Sequence, residues 1–297
     1  MSASAPRAVL LFNPRAGQRR GGRAFARVVH ELGKTWCLRP RPTSGPDHCR
    51  ELAGEAAREG LDVVFVLGGD GTLRLAAAAL AGSATALGPL PGGTTNVVVA
   101  ALGLPDDPVA AARAFAHCER RDIDVGRCGD ERFLMQTSGG LDARVMARVD
   151  PRWKRRFGKL AVVAAGLRAW FSYDFPVFEL EVDGRPAAAT GFVVANLARY
   201  AGAFEIVPTA SAEDRQLELL LFHGRSRRAA LGFALDLARG RHLQRRDVEV
   251  RPVRRVRLLG PPRAELQADG DPFVATPPLD LELATERLTV LVAAPAA

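Results

Sequence analysis

The chain has 297 residues, enough for two domains at roughly 100–200 residues each, and its 47% hydrophobic content can supply a core for both, which excludes wholesale disorder. Its formal charge is +8, from 41 basic and 33 acidic residues; only Lys34, Lys154 and Lys159 are lysines, leaving 38 arginines. Those arginines are scattered and lack the aromatic interleaving of a nucleic-acid stacking platform, so nucleic acid is not an expected partner and the charge favours phosphates or an acidic lipid surface.

The four cysteines, Cys37, Cys49, Cys118 and Cys128, form no CxxC pair and have no accompanying histidine spacing, which argues against a zinc site or a small disulfide framework. Reduced thiols and a cytoplasmic location are expected. The apolar run Ala8–Phe12 is too short for a signal-peptide core and stops at Asn13-Pro14. Leu75 to Pro105 carries no charge, but Gly88, Pro89, Pro91, Gly92 and Gly93 divide it into halves too short to span a bilayer.

In chain order, Ala8–Phe12 reads as a buried strand and Arg19–Leu32 as a helix, with Phe25, Val28, Val29 and Leu32 at helical spacing. Trp36–Arg39 reads as a second strand, Cys49–Glu59 as a helix stopped by Gly60, and Asp62–Leu67 as the clearest strand. Helix Leu73–Leu80, strand Thr85–Leu90 and helix Asn96–Leu102 follow. Alternation of this kind predicts an α/β N-terminal domain with a parallel doubly wound sheet, whose ligands bind beyond the C-terminal strand ends.

From about Ile123 the period changes to two, in Val177–Val182, Gly191–Ala195, Leu217–Phe222, Val248–Arg251 and Leu288–Val292. Helical stretches Lys159–Phe171 and Arg228–Arg239 interrupt it. The expected second domain is an antiparallel β-sandwich-like unit with helical insertions. The boundary falls at 125/126, with the last strand able to pack back on the first domain.

Three polar glycine loops follow predicted strands. Gly68-Gly69-Asp70-Gly71-Thr72 opens a helix, where glycines admit a phosphate close to the backbone and free N–H groups point at the anion. Asp70 among phosphates would handle Mg²⁺ or a reacting hydroxyl; alternatively it is an N-cap in a plain turn. Asn13-Pro14-Arg15-Ala16-Gly17 offers an amide donor, with Arg19 and Arg20 opening the next helix, or is a simple strand terminator. Pro91-Gly92-Gly93-Thr94-Thr95-Asn96 places Thr94 and Asn96 beside flexible backbone. In a parallel sheet all three emerge on one edge.

This ordered set, together with Ile123-Asp124-Val125-Gly126, Gly139-Gly140-Leu141-Asp142-Ala143 and Ala268-Asp269-Gly270-Asp271, resembles the diacylglycerol-kinase catalytic family, which includes bacterial lipid kinases, sphingosine kinases and ceramide kinases. The resemblance covers almost the whole chain. It implies an ATP-dependent lipid kinase with Mg²⁺, a nucleotide-binding first domain and a lipid acceptor, diacylglycerol-like or sphingoid-like, in the cleft before a β-rich second domain. By motif, Asn13, Gly68, Gly69, Asp70, Gly71, Thr72, Gly93, Thr94 and Asn96 would hold the nucleotide, with Thr43 near the adenine. Asp124 would support the acceptor side. Asp271 stands where the family usually has a glutamate thought to deprotonate the acceptor; by itself the Asp-Gly turn also reads as an ordinary hairpin.

Departures from the family pattern fall at Arg74 and Leu75 after the GGDGT block, at Val97 in place of an aspartate, and at Arg215, which replaces a glycine in the segment that holds a structural Mg²⁺ in bacterial members through the position of Asp214. They leave open a weakened kinase or a nucleotide and lipid sensor. NAD kinase shares GGDGT but not the Pro-x-Gly-Thr-x-Asn block, and a Walker A loop is absent. The five histidines fall in unrelated contexts. Arg152-Trp153-Lys154-Arg155-Arg156-Phe157 reads either as a solvated helix start or as a segment for transient adsorption to the anionic inner membrane face.

Overall fold

The computed structural model describes residues 5–14, 21–149, 166, 168–200 and 204–294. They divide into two compact units, one made of the residues up to Val125 together with those from Thr285 onward, the other of Gly126–Ala284.

In the first unit, four strands run parallel in the order β2-β1-β3-β4: β1 Arg7–Phe12, β2 Cys37–Pro42, β3 Val63–Gly68 and β4 Ala86–Pro91. Helices α1 Gly21–Gly33, α2 Pro46–Arg58 and α3 Asp70–Leu80 return the chain between them. Every residue of β4 and four consecutive residues of both β1 and β3 are buried, as expected where helices cover both faces of a parallel sheet. Two shorter helices follow, α4 Val97–Ala101 and α5 Pro108–Ala114; Asp107 caps α5 by accepting the Ala110 N–H at 2.8 Å.

The sheet is mixed rather than wholly parallel. Strand β20, Leu288–Ala293, pairs parallel to β4 and antiparallel to β5, Cys118–Ile123. Beside this seam Asp124 is fully buried and ion-paired with Arg287 at 3.0 Å. Arg287 also donates to the Asp122 carbonyl at 2.5 Å, and the Thr289 hydroxyl donates to the Asp122 carboxylate at 2.7 Å.

The second unit contains two antiparallel six-stranded sheets. One comprises β6 Gly126–Cys128, β7 Glu131–Phe133, β9 Phe178–Val182, β10 Arg185–Ala189, β16 Arg255–Gly260 and β19 Leu279–Leu283, in the order β10-β9-β16-β19-β6-β7. The other comprises β8 Gln136–Gly139, β11 Gly191–Ala195, β14 Leu217–Phe222, β15 Val248–Val253, β17 Ala264–Ala268 and β18 Asp271–Ala275, in the order β15-β14-β11-β8-β17-β18. A two-stranded ribbon joins β12 Arg199–Tyr200 to β13 Phe204–Glu205.

Alternation along the strands separates two apolar layers. Phe192 and Val194 of β11 and Leu217, Leu219 and Leu221 of β14 belong to the core shared with Phe178, Leu180, Val256 and Leu258 of the opposite sheet. Val193, Ala195 and Leu220 belong to a second cluster with Phe233 and Leu237 of helix α7, Arg227–Ala238. Helix α6, Leu141–Arg148, is a further described insertion. Of the stretch read as helix from Lys159 to Phe171, residues 168–172 are helical and most of the rest lies outside the described residues, as do Arg15 to Arg20 and Arg152 to Phe157.

Arg245 anchors α7. Its guanidinium is ion-paired with Asp236 at 2.7 Å and doubly hydrogen-bonded to Asp247, where it holds the carboxyl below the usual range.

Gly88 shows how closely the first sheet is packed. A Cβ there would lie 2.3 Å from the Phe65 ring, which is fully buried with Trp36 at 5.4 Å and Phe115 at 5.3 Å between ring centres. Gly88→Ala should therefore destabilise the protein by about 2–3 kcal/mol. Thermal melts should show a drop of several degrees, partly restored by adding Phe65→Leu; an unchanged melt would mean that the sheet has slack here.

Candidate active site

Strand register puts the loops of the first unit on one edge. Phe12 is level with Pro42 and Leu67, and Gly68 is level with Pro91, so Asn13, Thr43, Gly69 and Gly92 each follow a strand on the same side of the sheet. Thr43 is buried, and both its N–H and its hydroxyl donate to the Phe12 carbonyl, at 2.8 and 3.3 Å. It ties the ends of β1 and β2 together beside Asn13.

The two glycine loops touch backbone to backbone. The Gly92 N–H donates to the Gly68 carbonyl at 2.9 Å. A Cβ on Gly92 would lie 2.8 Å from the Gly68 nitrogen, and one on Gly93 would lie 2.7 Å from the Gly69 Cα. Side chains at these positions would force the loops apart. Gly92 thus belongs to the site as much as Gly93, although the motif reading did not single it out.

Asp70 is the first residue of α3, whose N-cap, Gly69, contributes no side-chain hydrogen bond. The Thr72 N–H turns back to the Gly69 carbonyl at 2.9 Å, which leaves the N–H groups of Asp70 and Gly71 for a ligand or water. The Asp70 carboxylate instead reaches the other loop, accepting the Val98 N–H at 3.1 Å and the Thr95 hydroxyl at 3.0 Å. Asn96, at φ 48°, is buried with both ends of its amide engaged: Oδ1 accepts the Gly93 N–H at 2.8 Å and Nδ2 donates to Asp106 at 2.7 Å. It shapes the loop, whereas Thr94 stands exposed.

In the second unit, Asp269 and Gly270 occupy a tight hairpin with φ 52° and 87°, and Ala268 pairs with Asp271 across it. Asp271 is exposed at the start of β18. The buried Asp269 carboxylate accepts the N–H groups of Leu134, Met135 and Gln136 at 2.7, 2.9 and 2.9 Å. The Gly270 N–H donates to Gln267 Oε1 at 2.6 Å, Gln267 Nε2 donates to Ser138 Oγ at 2.6 Å, and the Ser138 hydroxyl donates to Asp142 at 2.5 Å.

That chain ends in an apolar cavity of about 360 Å³ bounded by α6, α7 and the outer face of β11 and β14. Val145, Tyr173, Val193, Phe222, Phe233 and Leu237 are among its walls, and Asp142 is the one ionisable carboxyl that lines it among the described residues. Asp142 keeps some accessible surface because it lines the cavity. Protein nevertheless surrounds it so closely that burial raises its carboxyl above the usual range, against the hydrogen bond from Ser138. A Cβ on Gly270 would come within 3.5 Å of Met146, another wall residue, so the turn carrying Asp271 abuts the cavity. Sequence reading quoted Asp142 within a motif but gave it no task. Its signal was a lone carboxylate two residues beyond a strand-ending glycine pair.

Two expected residues stand apart. Asp124, expected on the acceptor side, is buried against Arg287 in the first unit. Asp214 is exposed and accepts the Gln216 N–H at 3.0 Å, with Arg215 in the left-handed region at φ 62°, where glycine would be less strained. Among the described residues no three His, Cys, Asp or Glu side chains gather to hold a metal, at Asp214 or elsewhere.

A carboxyl with a raised folded-state pKa binds its proton more tightly in the native protein, so stability falls as pH rises from the ordinary carboxylate range through the raised value and is level beyond it. Asp142→Asn removes this dependence. In thermal melts across pH 4 to 8 the variant should gain on the parent as pH rises; a constant difference would show that Asp142 titrates as an ordinary carboxyl.

The model of the diacylglycerol kinase catalytic domain matches residues 7–128, and that of the YegS C-terminal NAD kinase beta sandwich-like domain matches residues 136–292. A diacylglycerol kinase of Bacillus subtilis (strain 168) is 26% identical over 272 residues, 89% of each chain. A protein of Chromohalobacter salexigens named as a YegS-like lipid kinase is 32% identical over 71% of this chain and 70% of its own. A solved structure from Bacillus anthracis str. Sterne superposes over 99% of both chains with a TM-score of 0.81 at 21% identity, and another, of a diacylglycerol kinase from that strain, over 97% of both with 0.71 at 19%; these show the shared fold. The strand-edge glycine loops, the sandwich that follows them and these matches agree, and the chain belongs to the diacylglycerol-kinase catalytic family of lipid kinases.

Proposed function

We propose that the protein transfers the γ-phosphoryl group of ATP to a hydroxyl of a diacylglycerol-like or sphingoid-like lipid. The observation that carries this reading is the apolar cavity in the second unit, with one carboxyl in its wall among the described residues and the Asp271 turn against it. Such a cavity suits acyl or alkyl chains, and the carboxyl gives a hydroxyl-bearing head group a hydrogen-bond partner.

The nucleotide belongs at the strand edge of the first unit. The uncapped N-terminus of α3 and the glycines at 68, 69, 92 and 93 fit phosphate, which needs N–H donors and close backbone approach. The site fits Mg²⁺ through Asp70, because each of its oxygens accepts one hydrogen bond and retains a second lone pair. Mg²⁺ is commonly held by one or two carboxylates plus substrate phosphates, and when bound it neutralises phosphate charge. Asp271 accepts the acceptor's hydroxyl proton; the oxygen then bonds to the γ-phosphorus as its bond to the bridging oxygen breaks and ADP departs. Positioning and charge neutralisation dominate such chemistry.

The test is phosphate transfer from labelled ATP with Mg²⁺ to diacylglycerol, sphingoid base, ceramide and polyprenol. Turnover with any of them excludes a pure sensor; nucleotide binding without turnover on all four overturns the kinase reading. Asp271→Asn should lower kcat by about 10²–10⁴, with Asp271→Glu retaining activity, as expected of a general base. Ala234→Trp, which narrows the cavity, should raise KM for the lipid and leave KM for ATP unchanged.

A further inference from the structure

We propose that the outer face of α7 seats the protein on an anionic phospholipid bilayer; the proposal rests on the lipid-acceptor reading, since it concerns how the cavity meets its substrate. The helix works on two sides. Ala230, Phe233, Ala234 and Leu237 line the cavity, while Leu231 and Leu235, four residues apart and so on one stripe, are 50% and 46% exposed. An ordinary surface helix turns polar residues outward.

Exposed apolar side chains also stand near both ends of the helix. Arg227 donates to the carbonyls of Trp170 and Phe171 at 3.1 and 2.7 Å, which brings the 72% exposed Phe171 to the start of α7. Beyond the other end, His242 meets the Phe233 ring edge-on at 5.8 Å, and its neighbour Leu243 is 41% exposed. Single exposed apolar side chains are commonplace, whereas four around one helix make a patch.

Charge identifies the occupant. From Arg225 to Arg246 there are seven arginines and one acidic residue, Asp236. Among the described residues Arg245 alone of the seven is ion-paired, shared between Asp236 and the adjacent Asp247, so the other six carry charge that no carboxylate pairs. Arg228 on the helix and Arg225, Arg241 and Arg246 flanking it are exposed. Leucines flanked by arginines match an interface whose surface is anionic and whose interior is hydrocarbon. The wall that touches the bilayer is then also the wall of the acceptor cavity, so a lipid can pass from one to the other without crossing bulk water.

The test is sedimentation of the full chain with phosphatidylcholine vesicles with and without phosphatidylglycerol, at low and high ionic strength. The parent should bind the anionic vesicles, and less so in high salt. Leu231→Ser/Leu235→Ser should weaken binding about tenfold, as removing two half-buried leucines from hydrocarbon requires. Gln at 225, 228, 241 and 246 should weaken it further and reduce the salt dependence. Because both leucines are exposed, melting temperatures should be unchanged; Leu231→Ala/Leu235→Ala serves if the serine variant melts early. Turnover on a short-chain, water-dispersed diacylglycerol should be unaffected by the leucine changes. No binding by the parent, or undiminished binding by the leucine variants, overturns the proposal. So does binding lost only with the arginines, which is the behaviour of a surface for an acidic protein. Vesicle binding is scored without turnover, so a failed kinase reading and a failed docking surface give different results.

Discussion

Asp269 commits its buried carboxylate to three consecutive backbone N–H groups, those of Leu134, Met135 and Gln136, where the chain passes from β7 in one sheet of the sandwich to β8 in the other. A strand that changes sheets leaves its ladder, and its N–H groups need other acceptors if the crossing is buried. Asp269 supplies them, while the Asn196 side chain donates to the Leu134 carbonyl at 2.8 Å. The same residue sits in the hairpin turn that carries Asp271. Sheet crossing and turn are therefore set by one carboxylate, and the hydrogen-bonded chain through Gln267 and Ser138 extends that order to Asp142 in the cavity wall.

The first unit uses acidic and amide side chains in a related way. Asp70 spans two loops and Asn96 closes the second of them, so residues that look like ligand-binding groups in a motif spend hydrogen bonds on holding backbone in place. The glycines do the complementary work of leaving room. A loop edge built this way presents mainly main-chain donors, which suits a ligand recognised by charge and shape.

Much of the fold was legible because burial leaves a periodic trace. The runs at Ala8–Phe12, Asp62–Leu67 and Thr85–Leu90 became β1, β3 and β4, and the alternation at Gly191–Ala195 and Leu217–Phe222 became β11 and β14, with faces divided between two cores. Short or polar strands gave less to read. Gln136–Gly139 has little hydrophobic contrast, yet it is fully buried, with the Thr137 and Ser138 hydroxyls bonded to Gln267 and the Gln136 backbone N–H to Asp269, all far away in sequence. Helix α5 was missed although Asp107-Pro108 is a cap followed by a helix-compatible proline. In the site, the glycine loops were visible as motifs; Asp142 and Asp269 stood within motifs but without a task, since what defines them is enclosure by distant segments.

Strand β20 adds an order of events to this architecture. It is the sheet partner of β5 and lies against β4, yet it follows the second unit in the chain. A ribosome adding about 5–20 residues per second needs roughly 8–30 s to synthesise the intervening unit of about 160 residues. During that interval β4 and β5 have emerged with their shared neighbour still unmade, and Asp124 awaits Arg287. Completion of the first unit's sheet thus waits for the second unit to be synthesised, and the antiparallel unit has the first opportunity to finish folding.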